Sequence, residues 1–277
     1  HIKLNQGSDT QLTRPEGWHL QKFLNTPSTT ENIIFESFTN ATTTATTDVS
    51  ILALPLGSVS PEPSTYEYWK NGLGADNSWT FFKGASPSAG TGPSGGGTAV
   101  PDANNPYAYC EVLPSKVGQT FSLVTPLIDL LDMADDDYII LQFYYHMHGV
   151  HIGNLKVQAS TDPNFVNNVE DIVINWYPSN STSPAGFKSS VISGQQQTTQ
   201  NQRWRLAAAS TNETRPGGFS GTWPGDGLKN FIKKRFYIRF LYTAGIGHLG
   251  DCAIDDIKII KTAYGDGITQ NSFKLMH

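Results

Sequence analysis

Charge is scarce in this chain: Asp, Glu, Lys and Arg make up 16% of its 277 residues, and they balance to a net −5 at neutral pH. That leaves no electrostatic footprint for gripping a phosphate backbone, so nucleic acid is not an expected partner. The densest basic stretch, Lys229, Lys233, Lys234, Arg235 and Arg239, straddles a strand-like segment and reads as a solvated face. Cysteine is scarcer still. Cys110 and Cys252 are too few for a disulfide framework, although both fall in predicted strands that could be neighbours. No apolar run reaches the roughly 18–20 residues of a membrane span. The opening HIKLNQGSDT has neither an initiator Met nor a signal-peptide core and reads as the start of a processed, truncated or trimmed chain. No G-x-S-x-G elbow, HExxH, Walker loop or Rossmann fingerprint is found, so a non-enzymatic protein is expected.

What the chain does have is Gly, Ser, Thr, Asn and Gln in quantity, with 11% aromatic residues. This is the balance of many short strands joined by polar turns. Residues 1–30 carry Leu4, Leu12, Trp18 and Phe23 without a sustained period and read as an extended arm that needs a partner to become ordered. A Pro/Ser-rich loop runs through Pro61 and Pro63. The clearest strand is 138–149, where Ile139, Leu141, Phe143, Tyr145 and Met147 share a core face and Gln142, Tyr144, His146 and His148 share the other. A strand at 154–160 follows two glycines, so the pair is expected to form a hairpin. Strands are also expected at 33–38, 235–242 and 252–260, the last of them central, with Ile254, Ile257, Phe236 and Phe240 in the core. Segments 161–200 and 207–232 read as loops. The expected division is an arm at 1–30, a β-sandwich at 31–262 and a tail at 263–277.

Across residues 33–261 the chain resembles the MAM domain. The matching segments are FE at 35–36, SWTF at 78–81, TGPSGGGT at 91–98 and YAYCE at 107–111. They continue with TPLIDL at 125–130, LQFYYHMHGVHIGNLKV at 141–157, SG at 193–194, RFYIRF at 235–240 and GDCAIDDIKI at 250–259. The resemblance implies an all-β fold, a two-sheet antiparallel jelly-roll sandwich of the concanavalin type, used for adhesion. The family's usual cysteines are missing, and its Asp-His-Thr is Gly96-Gly97-Thr98 here, departures that point to a distant, bacterial or viral relative.

The same resemblance implies a structural Ca²⁺ or Na⁺ near Glu36 and Asp256, with Asp76 as a third ligand; oxygen-only ligands suit Ca²⁺. Asp255 and Asp256 are adjacent in a strand, so their side chains are expected on opposite faces. His146, His148 and His151 form H-x-H-x2-H, read as structural rather than metal-binding. Asp135–Asp137 reads as a solvated turn. Sequons begin at Asn40, Asn180 and Asn212. The function expected is protein–protein adhesion or particle assembly, by self-association or within a larger assembly through the arm, outside the cell or on a virion surface. Two other classes are weighed against it. A carbohydrate-binding module would stack glycans on Trp69, Trp176, Tyr177 or Trp223, and a glycoside hydrolase would need two carboxylates in an open cleft.

Overall fold

Alternation of apolar and polar residues becomes strand nearly everywhere it is sustained. The computed structural model describes residues 31–36, 38, 69–97, 101–133, 137–176, 187–211 and 227–263. Its strands begin with β1 (Glu31–Glu36), β2 (Lys70–Asn71), β3 (Asn77–Ser78), β4 (Thr80–Lys83) and β5 (Pro106–Cys110). They continue with β6 (Thr120–Val124), β7 (Ile128–Asp129), β8 (Asp137–His146), β9 (Asn154–Ser160), β10 (Val169–Asp171) and β11 (Ile174–Trp176). The last five are β12 (Phe187–Ser189), β13 (Ile192–Ser193), β14 (Arg205–Ser210), β15 (Arg235–Thr243) and β16 (Cys252–Ala263). Two single 3-10 turns, Pro114–Lys116 and Lys229–Phe231, are the helical elements among the described residues.

The strands make two sheets. The first runs β12-β11-β14-β8-β16-β5-β4, with β1 added to β16; the second runs β10-β9-β15-β6-β2, with β13, β3 and β7 at its margins. Pairing is antiparallel except for the short β3–β6 contact. One large cluster fills the space between the sheets, as the alternation predicts. Phe143, Tyr145, Ile254, Ile257 and Ile259 enter from the first sheet and Phe236, Phe240 and Tyr242 from the second, all with no exposed surface. The Phe143 and Phe240 rings meet edge to face across the middle, 5.1 Å between centroids, a geometry worth about 1 kcal/mol beyond the area it buries.

Two expectations about local structure are corrected. β8 and β9 are not a hairpin: β8 pairs with β14 and β16, β9 with β15, β10 and β13, so the chain arches from one sheet to the other. The glycines predicted as a turn serve that arch. Gly149 has φ 142° and Gly153 lies so close to the Thr243 carbonyl that any Cβ would collide with it. The segments read as loops also contain β10 to β13, and residues 207–210 complete β14. Those strands pair for only a few rungs, too short for a sequence period to register. The arm at 1–30, the tail beyond 263 and the sequons at Asn40, Asn180 and Asn212 lie outside the described residues.

Candidate functional site

The two adjacent aspartates do not leave opposite faces. Opposite Phe143 of β8, strand β16 places two residues, Asp256 and Ile257, so the register slips between Asp255 and Lys258. This is a β-bulge, and its extra residue, Asp256, takes φ 48°, a left-handed conformation that Asp tolerates better than most side chains. The slip resets the alternation, turning Ile254, Ile257 and Ile259 inward while Asp255 and Lys258 face outward. The sequence carried a signal for it: Ile254 and Ile257 are three apart, which a period of two cannot bring to one face without an inserted residue.

On the outer face Asp255 is covered completely. Its Oδ2 accepts hydrogen bonds from the Gly97 N–H (2.8 Å) and the Asn105 side-chain amide (2.9 Å), and its Oδ1 from the Asp256 N–H (2.7 Å). The Gly-rich segment Gly95–Gly97 lies over this carboxylate. A Cβ on Gly97 would stand 2.8 Å from the Trp204 ring and 3.0 Å from Asp255 Cβ. The Trp204 indole N–H donates to the Gly95 carbonyl at 3.0 Å. Tyr107, Tyr109, Trp204 and Ala253 form a second buried cluster here, with Phe82 and Tyr144 half-buried at its margin. Burial pushes the Tyr144 phenol upward, and the Asp256 charge adds to this. Asp256, 9% exposed, has its carboxyl raised by burial, with Lys258 in partial opposition.

The three metal candidates are placed differently. Glu36 pairs with Ile257, so its backbone is one register position from Asp256. Asp76 belongs to the margin of the other sheet, where its Oδ2 accepts from both the N–H and the hydroxyl of Thr120 (2.9 and 2.8 Å), bonds that hold its carboxyl below the usual range. Glu36 and Asp256 thus come from neighbouring positions of one sheet, whereas Asp76 stands on the other. Among the described residues no group of three or more His, Cys, Asp and Glu side chains is placed to hold a metal ion.

His146 sits on the outward face as alternation predicts, yet is fully buried between Trp204 and His148, at ring-centroid distances of 5.5 and 6.4 Å. Neither of its ring nitrogens makes a well-formed hydrogen bond, although the Gln200 backbone lies near enough to favour the protonated ring. Burial, helped by His148 and Arg205, pushes its pKa down to about 3. Asp251 is a further buried ionisable group on this flank. Its Oδ1 accepts from the Val112 N–H at 2.8 Å, its Oδ2 has no partner, and burial pushes it up to about 7 against that bond.

The basic stretch is corrected in one member. Lys229, Lys233, Lys234 and Arg235 are exposed, but Arg239 is buried against the second sheet, donating twice to Gln158 Oε1 (2.9 and 2.6 Å) and lying 4.5 Å over the Phe165 ring. Trp69, offered as a sugar-stacking ring, is buried beside Phe38. Tyr177 and Trp223, together with Asp135 and Asp136 of the acidic run, lie outside the described residues, while Asp137 opens β8 and pairs with Lys261 at 3.7 Å.

Sequence reasoning missed a rim at one end of the sandwich. The connections β5–β6, β8–β9 and β15–β16 meet there, joined by Gly118 N–H to Gly245 O (3.2 Å), Ala244 N–H to Gln119 O (2.8 Å) and His151 N–H to Leu249 O (2.9 Å). From them Leu113, Val117, Val150 and Ile246 project into solvent, the last two 73% and 89% exposed. Isolated apolar residues in three separate loops leave no periodic trace, so only the fold gathers them.

No protein-family model matches the chain. Among solved structures it is similar to the K3 cleaved adhesin domain of Lys-gingipain from Porphyromonas gingivalis W83, with 12% identity over 83% of this chain and 99% of that one, at a TM-score of 0.36. The K2 cleaved adhesin domain of Lys-gingipain aligns with 9% identity over 82% of this chain and 96% of that one, TM-score 0.38. A cyclase from Fischerella sp. TAU aligns equally well, with 12% identity over 84% and 97%, TM-score 0.38. Likeness at this level falls on adhesins and an enzyme alike and assigns no activity to this chain.

Proposed function

We propose that the chain is a non-catalytic binding and assembly module of MAM-like architecture that meets a protein partner, a further copy of itself first, through the loop rim at the end of the sandwich. The observation that carries this is the rim: four exposed apolar side chains on three connections that are hydrogen-bonded to each other and anchored in strands. Apolar groups held in water on a stiff frame recover their burial energy only against another surface, and connections between rigid strands are where binding residues concentrate. An extracellular or virion-surface setting, with the arm at 1–30 joining the contact, belongs to the same reading. Glu36 and Asp256, one register position apart on β1 and β16, are the residues that would hold a structural Ca²⁺ or Na⁺.

The test is the concentration dependence of mass in solution for the full chain and for a Val150→Lys/Ile246→Lys variant. Association that weakens in the double variant supports the reading. A chain that stays monomeric at every concentration overturns self-association. A glycan-binding reading keeps one favourable observation, the half-buried rings of Phe82 and Tyr144 on the outer face. Glycan-array binding abolished by Tyr144→Ala, with association unchanged in the rim variant, would put it ahead.

A further inference from the structure

We propose that Cys110 and Cys252 are a disulfide site, oxidised during folding to tie β5 to β16. They are the only two cysteines in the sequence, and they are register partners on adjacent antiparallel strands. Directly opposed residues of such a pair have Cα atoms about 4.5–5.5 Å apart, within the roughly 4.4–6.8 Å that a disulfide spans. Opposed residues also share a face, so both thiols point into the main core, where neither has any exposed surface. Both are free thiols in the structure. A buried cysteine by itself is an ordinary small apolar residue. The coincidence of the only two on a single rung is what points to a bond, and with no third thiol its connectivity has no alternative.

The tie would fall at a useful place. β5 and β16 pair over only three rungs, Cys252–Cys110, Ala253–Tyr109 and Ile254–Ala108, before the bulge at Asp256 interrupts β16 and β1 takes over its edge. The loop it closes spans most of the sandwich, so it would remove a large share of the unfolded chain's freedom. In the reaction the thiolate of one cysteine attacks a disulfide-bonded oxidant R–S–S–R, forming a mixed disulfide and releasing RS⁻. The second cysteine displaces the other RS⁻, so the two thiols give up two electrons and two protons and two RSH are formed. Burial admits this chemistry only before β16 docks; in the finished sandwich the thiols are shielded from oxidant and the bond from reductant.

The experiment refolds the full chain from denaturant in an oxidised/reduced glutathione buffer. The folded product is then alkylated in denaturant and its intact mass read, with protein secreted through an oxidising compartment as a second source should refolding fail. The expected product is a monomer two hydrogens lighter than the reduced chain, carrying no alkyl group. It should melt roughly 5–15 °C above the reduced protein, and a Cys110→Ala/Cys252→Ala variant should fold but melt alike in both buffers. Folded protein from either source that takes up two alkyl groups overturns the proposal, as does a disulfide found only between chains.

Discussion

Two buried ionisable groups on one flank should cancel each other's pH dependence, and removing either should expose the other. The unfolded chain protonates His146 below its ordinary 6.5, whereas the folded protein resists until about 3. Its contribution is therefore fully present above pH 6.5 and is lost as pH falls toward 3. Asp251 runs the other way. Its folded carboxyl keeps its proton up to about 7 while the unfolded one releases it near 3.8, so its contribution is full below pH 3.8 and is lost as pH rises through 7. Each slope is about 1.4 kcal/mol per pH unit, so between pH 4 and 6.5 each group changes stability by roughly 3 kcal/mol, in opposite directions. His146→Phe keeps ring volume where neither nitrogen makes a well-formed hydrogen bond, and Asp251→Asn keeps the acceptor for the Val112 N–H. Denaturant unfolding of wild type and both variants at pH 4, 5, 6 and 6.5 supplies the differences. The advantage of Asp251→Asn over wild type should grow with rising pH, and that of His146→Phe with falling pH. Differences flat across this window for both variants would refute the burial argument.

The Gly97→Ala variant should lose about 1–3 kcal/mol and change its Trp fluorescence, because the new methyl must push the Gly-rich loop off Trp204; an unperturbed melt would contradict the close approach. Asp255→Ala removes the acceptor for two buried N–H donors and one half-buried amide and should cost roughly 3 kcal/mol in urea unfolding. Arg239→Lys loses the forked contact to Gln158 and the stacking on Phe165, and a cost of about 1–2 kcal/mol is expected where an exposed arginine would show none. Millimolar Ca²⁺ should raise the melting temperature of the wild type but not of Asp256→Ala; no shift, with none on chelation, would remove calcium from the proposal.

Much of the framework is legible in the chain because a strand with one buried face must alternate. Period and residue type place Phe143, Phe236 and Phe240 in the core, residue type alone adds Ile254 and Ile257, and all five are fully buried. The long strands β8, β9, β15 and β16 were found within a few residues of their ends. Short pairings such as β10 to β13 have no room for a period and were invisible. Which sheet a strand joins was equally hidden: alternation says which residues face inward, not which neighbour supplies the hydrogen bonds, so β8 and β9 looked like a hairpin.

Only the tertiary structure decided the chemistry of the outer face. The bulge that puts Asp255 and Asp256 on the same side follows from the need to keep Ile254 and Ile257 inward together, a demand set by the opposing sheet. The burial of Asp255 and His146 comes from a loop and a tryptophan that are remote in sequence, Gly95 to Gly97 and Trp204. Sequence determined the strands, the core and the outward position of His146 through local periodicity. The rim of Leu113, Val117, Val150 and Ile246 and the rung shared by Cys110 and Cys252 are contacts between distant segments, which no local pattern encodes and only the packed sheets could create.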